Sequence, residues 1–448
     1  MTFCQANITV RPCGRSAPTR MHRRPNAAGV LPAGQSRVMR NHPVSRVLLT
    51  LILAAAVSSC VTESAGPPAL RETLPNGALL VRYPGLPAID SVGPDVTELH
   101  VDLKFGSLEG DDPNLLFGDI RGIQATADGT IYVLDFQATE VRVFDPDGRY
   151  LRTIVRRGEG PGEITAANGI VFSGDTLLWI HDHGKWRIIG VDPAGRELRR
   201  FNKPVLSYGS RWTGPFDDRG RYWSRTSHSD EELRYPPPPG LSSRTARGYY
   251  KSYDLATEAV DSVYLGERSF RSYYYQDANG LWQLQPSRFE AFEMIVVNPS
   301  GGFWRANTAA YRIARTGEGG DTLVVIEAGL PALPVTDEDR AAYIEESAER
   351  SPEAGRAAEE VAALMPDTKP ILARMFVDDV GRLWVQRVTP ADAPAFYDTF
   401  SEDGDYLGSV RFAFTPAPYS EFWVQHGNIY TWVVDEMDVP YVVRAPLH

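Results

Sequence analysis

The residues whose types and spacing most favour chemistry form the triplet His181-Asp182-His183. Residues at positions i and i+2 of a strand project from the same face, so the two imidazoles could bind one metal ion together. Asp182 lies 47 residues after Asp135, which ends a predicted strand, and this repetition favours a carboxylate that caps a loop. A metal site needs a countable ligand set, and the sequence offers no identifiable third ligand. We therefore predict neither a metal nor a cofactor.

The remaining stretches carry no catalytic signature. The segment Gly158–Glu163, with the sequence GEGPGE, resembles a phosphate-binding loop in its glycines. It lacks the Gly-Lys-Ser/Thr ending, however, and it precedes a predicted strand rather than a helix. The sequence contains no serine nucleophile elbow and no paired-carboxylate signature. The glycines are therefore interpreted as a sharp connection between two repeats, because glycine adopts backbone conformations that other residues avoid.

Charge is distributed unevenly along the chain. Residues 1–59 contain eight Arg, no Lys and no acidic residue, so 38 of the 46 basic residues stand against all 57 acidic residues in the remainder. Nucleic-acid-binding domains present basic faces, so this acidic remainder argues against a nucleic-acid partner. The three cysteines are Cys4, Cys13 and Cys60, and no disulfide can form within the chain beyond Cys60.

The N-terminal region has the pattern of an export signal. Residues 47–57 form the apolar run VLLTLILAAAV, which follows Arg40 and Arg46 and precedes two serines and Cys60. Eleven residues are too few to span a bilayer as a helix, which needs about 20. A basic start, an apolar middle and a small-residue end are typical of a signal peptide. The ending Val57-Ser58-Ser59-Cys60 resembles the lipobox of bacterial lipoproteins, which implies that Cys60 carries a diacylglycerol and one amide-linked acyl chain of the palmitate type.

Three segments are predicted to precede the globular part. Residues 1–38 are rich in Arg and Pro and do not fit a signal peptide, so we interpret them as an over-extended start or a disordered segment. Residues 39–59 form the predicted lipoprotein signal peptide, and residues 60–95, rich in Pro, Gly and small residues, form a predicted tether. Val61 rather than Asp follows the cysteine. In Gram-negative lipoproteins this implies an outer-membrane anchor that faces the periplasm.

Residues 96–448 contain a repeated pattern of short strands and tight turns. The first copy, Gly122–Val155, has four predicted strands, with turns at Asp128-Gly129 and Asp145-Pro146-Asp147-Gly148. Further copies are predicted at 169–201, from 217 through an insertion to 253, at 292–327, at 378–407 and from 422 to 443. Because one small sheet cannot bury both of its faces, such repeats must stack against each other.

The ends of the repeated region are predicted to meet. Apolar residues alternate from Leu99 to Phe105, which predicts one half-buried strand without a nearby hairpin partner. The sixth copy has three predicted strands, so pairing with this orphan strand would close a ring and remove exposed sheet edges. The repeats resemble six-bladed β-propellers related to NHL repeats, in particular a bacterial group whose first blade ends in the Gly-x-Gly-Pro-Gly-Glu segment. We therefore predict an all-β, six-bladed β-propeller over residues 96–448.

Three stretches depart from the repeat pattern. Residues 227–248 include Pro236–Pro239 and are predicted to form a rigid surface loop, with a proline-rich docking site as the alternative. Residues 266–290 are aromatic and are predicted to be irregular. A short acidic helical insertion is predicted at about residues 336–365, because Thr336 has N-cap spacing to an acidic residue and Pro352 suits a first helical position.

The predicted propeller separates the candidate residues by face. The Asp-Gly turns lie on one face and the connections around residues 136–140, 158–163 and 183–186 lie on the other, where propellers usually bind ligands. This candidate ligand face contains Arg121, Asn168, His181, Asp182, His183, Lys185 and Arg374. Calcium-dependent lactonases of propeller fold place Asn and acidic residues at positions like that of Asn168. Arginines at the positions predicted to be equivalent would oppose Ca²⁺ and suit an anionic or glycan ligand.

The function expected from these observations is binding rather than a reaction that can be named. The chain is predicted to be a lipid-anchored scaffold for a ligand or an envelope protein, with the membrane as a partner through Cys60. The alternative is a lactonase-like hydrolase or lyase with a metal in the central channel. A third hypothesis is a subunit of a larger envelope assembly.

Overall fold

The computed structural model describes residues 67–108, 112–202, 212, 214, 216–228, 238–390, 393–418 and 420–447. The predictions made for residues 1–66, including the signal peptide and Cys60, lie outside this part of the chain. Among the described residues, no helix is both long and apolar enough to cross a membrane.

The first two sheets are antiparallel and have four strands each, joined in chain order. Sheet 1 contains Ile120–Ala125, Ile131–Asp135, Glu140–Phe144 and Tyr150–Val155. Sheet 2 contains Ala167–Ser173, Leu177–Asp182, Arg187–Val191 and Glu197–Phe201. The turns between their strands are those predicted, and Gly129 and Gly148 have φ of 84° and 78°, which favours glycine. The alternating apolar residues and the Asp-Gly turns therefore determine these two sheets.

Sheet 3 differs most from its prediction. It contains Arg221–His228, Gly240–Asp254, Val260–Gln276 and Trp282–Gln285, and Phe216 forms an isolated bridge with Tyr222. The predicted loop at 227–248 and the predicted irregular segment at 266–290 are therefore wrong for much of their length. Residues 240–247 pair with residues 267–274, so each segment supplies the other's hydrogen-bond partners. Pro236 and Pro237 lie outside the described residues.

Sheets 4 to 6 complete the series. Sheet 4 contains Glu293–Val297, Phe303–Asn307, Arg312–Thr316 and Thr322–Ala328. Sheet 5 contains Leu372–Val377, Leu383–Arg387, Phe396–Phe400 and Tyr406–Phe412. Sheet 6 contains Trp423–Gln425, Asn428–Val434 and Pro440–Pro446, and Leu103–Phe105 pairs with its last strand as the fourth. The predicted ring closure by an N-terminal strand is thus confirmed for residues 103–105.

Apolar clusters join each sheet to its neighbours around a closed ring. Six clusters of described residues join neighbouring sheets, and they include Ile123 with Tyr430 (sheets 1 and 6), Val143 with Ile180 (1 and 2), Trp179 with Tyr222 (2 and 3), Trp223 with Ile295 (3 and 4), Trp304 with Leu383 (4 and 5) and Trp384 with Ile429 (5 and 6). Every sheet buries both faces only through this stacking. The described residues form a six-bladed β-propeller, as predicted, and the sheets are called blades 1 to 6 below.

The segment before the propeller is folded onto it, contrary to the predicted tether. Leu70–Thr73 and Leu79–Tyr83 form a hairpin, and the second strand pairs in parallel with Thr322–Ala328 at the edge of blade 4. The predicted single strand over residues 99–105 is also wrong. Val96–Leu99 pairs in parallel with the edge of blade 5, whereas Leu103–Phe105 pairs with blade 6. Both additions cover sheet edges that would otherwise be exposed.

The turn between the first two strands of a blade is held by a recurring aspartate. In blade 5 one carboxylate oxygen of Asp378 accepts from the backbone N–H of Arg382 at 2.8 Å, and the other accepts from Trp384 Nε1 at 2.8 Å. In blade 3 Asp217 contacts Trp223 Nε1 at the same distance. These aspartates hold the turns, but the prediction that the ligand face lies at the opposite end is wrong for the cavity described below, because Asp218, Asp378 and Asp379 of these turns also line it.

The helical insertion is confirmed and has the predicted caps. Helix α1 spans Asp337–Arg350 and helix α2 spans Pro352–Ala362. Thr336 and Asp339 form a capping box at the start of α1. The insertion covers blade 3, since Gln285 Nε2 donates to Tyr343 Oη at 2.7 Å.

Candidate functional site

Asp182, the centre of the predicted triplet, has a structural role. Its Oδ1 accepts from the backbone N–H groups of Thr165 and Ala166 at 3.1 and 3.0 Å, and its Oδ2 accepts from Arg187 Nε at 3.0 Å. Asp135 of blade 1 similarly accepts from the backbone of the segment that enters its own inner strand. The predicted loop-capping role of Asp182 is therefore confirmed.

His181 and Asn168 form a fully buried polar pair. His181 Nδ1 lies 2.5 Å from Asn168 Oδ1, and His181 is 0% exposed. Because an amide oxygen accepts, this contact places the imidazole proton on Nδ1 and leaves Nε2 as a buried acceptor, for which the described residues supply no hydrogen-bond donor. Burial, with a smaller contribution from His183 and against the opposing effect of Asp182, lowers the pKa of His181 to about 4. The imidazole is therefore neutral at physiological pH.

His183 lies closer to the surface than His181. The two imidazole centroids are 6.4 Å apart, and the Trp186 ring packs edge-on against His183 with a centroid distance of 4.6 Å. Burial lowers the pKa of His183, while Asp182 opposes this change and Arg121 adds to it. Lys185 is on the outside of this loop, where its Nζ pairs with Glu159 at 2.9 Å. The predicted triplet thus separates into a fully buried imidazole, a loop cap and an imidazole that is 7% exposed.

The segment Gly158–Glu163 connects blades 1 and 2, as predicted. The backbone N–H of Gly160 donates to Glu163 at 2.7 Å, and that of Gly162 donates to Glu197 at 2.7 Å. Carboxylates of the chain itself thus accept from the amides that a phosphate would require. This geometry agrees with a structural connection.

Arg121 and Arg374 do not occupy equivalent positions, contrary to the prediction. In blade 1 Arg121 is the extra residue of a β-bulge that follows Ile120. In blade 5 the bulge lies between Leu372 and Arg374, so Ala373 is the equivalent of Arg121. A shift of one residue sends a strand side chain to the opposite face, and this difference separates the two guanidinium groups.

The two arginines have different surroundings. Arg121 Nε donates to Asp119 at 2.9 Å, and its guanidinium lies 3.6 Å from the centroid of the Phe136 ring. Arg374 forms an ion pair with Glu421, and its guanidinium lies 4.8 Å from the centroid of the Phe422 ring. Burial lowers the pKa of Arg374, but a guanidinium keeps its charge under such conditions.

A cavity of about 560 Å³ occupies the central channel. All six blades contribute to its wall, through Gln124, Phe172, Phe216, Val297, Arg374 and Trp423 in chain order. Trp212, against which His181 packs at a centroid distance of 5.8 Å, lies in the same wall. The buried His181–Asn168 pair therefore supports the channel wall from behind and is not itself part of the lining.

Aromatic rings and a few charged groups give the cavity its chemistry. The lining residues include two arginines, Arg225 and Arg374, and four acidic residues, Asp218, Asp378, Asp379 and Glu421. The carboxylate of Asp378 is fully buried and held by its own turn, so three acidic side chains remain. This balance does not favour a simple anion. Trp423 lines the cavity with its ring, while its Nε1 is buried and has no hydrogen-bond acceptor among the described residues. The arrangement suits a ligand with an apolar face and groups that both donate and accept hydrogen bonds.

Most of these lining residues were missed at the level of sequence. Glu421 and Trp423 lie near the start of the first strand of the sixth repeat, close to the position that Arg374 has in the fifth. This shared position in the repeat is the signal that could have identified them. Arg225 and Trp212 had no such signal, because blade 3 departs from the repeat. Of the predicted ligand-face residues, Arg374 alone lines the channel cavity.

Metal ligands are not grouped within the described ranges. No set of three or more His, Cys, Asp or Glu side chains lies close enough there to hold a metal ion. The side chains of Asn168 and His181 form a hydrogen bond with each other. The carboxylate oxygens of Asp182 accept hydrogen bonds from backbone N–H groups and from Arg187. This donor set does not fit a metal centre at the predicted triplet.

Comparison with known proteins supports the fold. Residues 93–192 match the model of the DUF5128 family, described as a 6-bladed beta-propeller. This match agrees with the six blades. It covers the first blade and part of the second, where the Gly-x-Gly-Pro-Gly-Glu segment lies. No curated protein matches the chain significantly.

Solved structures show similarity at low identity. A DUF4221-family member from Bacteroides vulgatus is 12% identical, with 78% of this chain and 97% of the other covered and a TM-score of 0.45. A protein from Bacteroides fragilis described as exported is 11% identical, with 79% and 99% covered and a TM-score of 0.41. Virginiamycin B lyase from Staphylococcus aureus is 10% identical, with 73% and 95% covered and a TM-score of 0.33. At these values the similarities carry no argument about activity.

Proposed function

We propose that the chain is an exported, lipid-anchored propeller that binds a polyhydroxylated ligand, a glycan, in its central channel. The observation that carries the proposal is the cavity of about 560 Å³ that all six blades line. Small-ligand pockets span about 300–1,000 Å³, are mainly apolar, and use a few polar groups to orient the ligand. The cavity has this size and this mixture of aromatic and polar side chains.

The pairing of Arg374 with Glu421 distinguishes a glycan from an anion. An ion pair supplies donors and acceptors without a net charge, which matches hydroxyl groups that both donate and accept. An anion would instead have to compete with the carboxylate of Glu421 for the guanidinium and would meet an excess of carboxylates in the wall. The apolar faces of sugar rings fit the half-buried rings of Phe172, Phe376 and Trp423.

The proposed location follows from the N-terminal pattern. The lipobox-like ending at Cys60 supports a lipid anchor, and Val61 supports the outer membrane and the periplasmic side. Two or more acyl chains hold a protein stably at a bilayer, so such an anchor suffices without a membrane-spanning segment. An envelope protein that presents a glycan to the channel is compatible with the same site.

Binding of an oligosaccharide panel tests the channel. For a hit, Arg374→Gln and Glu421→Gln are each expected to weaken binding about tenfold, since a hydrogen bond to a charged group contributes about 1.5 kcal/mol or more. Arg149→Gln is the matched control, because the Arg149 side chain is 76% exposed on a turn. Isothermal titration calorimetry measures the affinity of all three variants for the ligand.

The same variants separate the alternatives. Tighter binding by Glu421→Gln, with affinity that falls as salt is added, would show that the ligand is an anion and would refute the glycan proposal. An equal loss of affinity in all three variants, the Arg149→Gln control included, would place the ligand outside the channel.

A further inference from the structure

A second large cavity lies beside blades 4 and 5 and shares no lining residue with the channel cavity. Its volume is about 860 Å³. Residues 85–90 supply one wall, residues 329–333 supply a second, and Ile371 and Val388 belong to a third. The first of these segments connects the two N-terminal strands that pair with the edges of blades 4 and 5. We call this cavity the edge pocket.

Arg387 holds the wall of residues 85–90 against blade 5. Its guanidinium donates to the backbone carbonyl of Pro87 at 2.6 Å and to both carboxylate oxygens of Asp398, at 2.6 and 2.7 Å. Asp398 also accepts from Tyr311 Oη at 2.7 Å and from Ser409 Oγ at 2.6 Å. The side chains of Arg387 and Asp398 are only 5% and 0% exposed. This buried, paired network fixes the wall, so the pocket is already formed when a ligand arrives.

The charged groups of the lining are compensated within the chain. Arg387 is paired with Asp398, and Arg411 Nη2 donates to Glu98 at 2.7 Å. Asp90, which also lines the pocket, is exposed and can keep its contact with water. A charged ligand would have to break one of these ion pairs or enter apolar surroundings without a counter-charge, and both are costly. The lining therefore favours a ligand without charge.

Most of the remaining lining is apolar. It includes four prolines, which have no N–H group that a ligand would have to satisfy. It also includes five aliphatic side chains that are only half-buried: Ile89, Leu330, Leu333, Ile371 and Val388. An apolar molecule that leaves water for this pocket would cover these side chains and its own surface together, which is the hydrophobic driving force for binding.

We propose that the edge pocket is a second binding site, which takes an uncharged apolar small molecule from water. The volume lies within the range of about 300–1,000 Å³ that small-ligand pockets span. The site differs from the channel in chemistry, because the hydroxyl groups of a glycan need donors and acceptors that the edge pocket lacks among its described residues. Since residues 85–90 connect strands on two blades, the ligand contacts the N-terminal segment together with blades 4 and 5.

The uncharged dye N-phenyl-1-naphthylamine, whose fluorescence rises when it leaves water, tests the site. We expect the protein to bind one dye molecule. Leu333→Gln and Val388→Gln should each weaken dye binding about tenfold, because an amide that faces an apolar ligand lacks a partner. Both side chains lie outside the apolar clusters that join the blades, so the variants should fold. Leu323→Gln is the matched control, because Leu323 is 41% exposed on blade 4 and does not line the pocket.

A second dye tests the preference for an uncharged ligand in the wild-type protein, without any substitution. The related 8-anilinonaphthalene-1-sulfonate carries a negative charge and should bind about tenfold more weakly. Tighter binding of the sulfonate, with affinity that falls as salt is added, would show that the pocket selects an anion and would refute the proposal. Absence of binding by the uncharged dye, or unchanged affinity in both pocket variants, would overturn the site. An oligosaccharide that binds the channel should leave dye binding unchanged, and displacement of the dye would place it in the channel instead.

Discussion

Acidification should destabilise the propeller through His181. The folded state holds the pKa of this imidazole at about 4, because burial disfavours the charged form, against 6.5 for the ordinary side chain. The unfolded chain therefore takes up a proton at a higher pH than the folded chain. The resulting stability is fully present above about pH 6.5 and is lost as the pH falls toward 4. At pH 4.5 the loss amounts to about 2.5 kcal/mol.

A single substitution isolates this contribution. The glutamine of His181→Gln does not titrate, and its amide can still donate to Asn168. Any free energy of unfolding that the substitution costs is therefore the same at every pH. His100→Gln is the control, because the His100 side chain is 71% exposed. Urea unfolding of the three proteins, followed by tryptophan fluorescence, gives the free energy of unfolding at pH 7 and pH 4.5. Between pH 7 and pH 4.5, the free energy of unfolding of the wild type and of His100→Gln should fall by about 2.5 kcal/mol more than that of His181→Gln.

Equal losses in the wild type and His181→Gln would refute the reasoning. The imidazole would then be protonated in the folded state, or already shielded in the unfolded state. His183, whose pKa burial also lowers, should respond in the same direction when changed to Gln.

Three further predictions concern the anchor, the ring and the turns. Cys60→Ala should move the protein from the membrane to the soluble fraction, and unchanged retention on fractionation would contradict the anchor. Deletion of Leu103–Phe105 should lower the thermal midpoint of the whole ring, because blade 6 loses its fourth strand; a calorimetric scan like that of the wild type would contradict closure. Asp378→Asn should lower the free energy of unfolding, measured in urea, by about 1–3 kcal/mol, because the substitution weakens the hydrogen bond that Trp384 Nε1 donates. Asp403→Asn is the control, because Asp403 is exposed, and it should leave the free energy of unfolding unchanged.

The repeated architecture was predictable because its causes are local. Apolar alternation with Asp-Gly turns predicts the strands of blades 1, 2, 4 and 5, since a turn of two to four residues determines which strands can pair. The caps at Thr336 and Pro352 likewise predicted both helices. The loop-capping role of Asp182 was predictable from its repetition at Asp135.

Blade 3 and the N-terminal segment were not predictable in the same way. Their strands pair with partners far away in the sequence, as residues 79–83 do with the edge of blade 4. Whether such a segment forms a strand depends on an open sheet edge that only the folded ring provides. Pro and Gly content suggested a tether there, and tertiary pairing overrode that tendency.

The sequence by itself determined that the chain folds as stacked four-stranded sheets, since strand period, turns and caps are encoded within each repeat. Only the tertiary structure decided which side chains share a site. An offset of one residue from the bulge separates Arg374 from the position of Arg121, the stacking of blade 6 on blade 5 brings Glu421 to Arg374, and edge pairing places residues 79–83 against blade 4. These juxtapositions depend on register and on pairing between repeats, which join residues from 47 to more than 200 positions apart and therefore leave no local pattern.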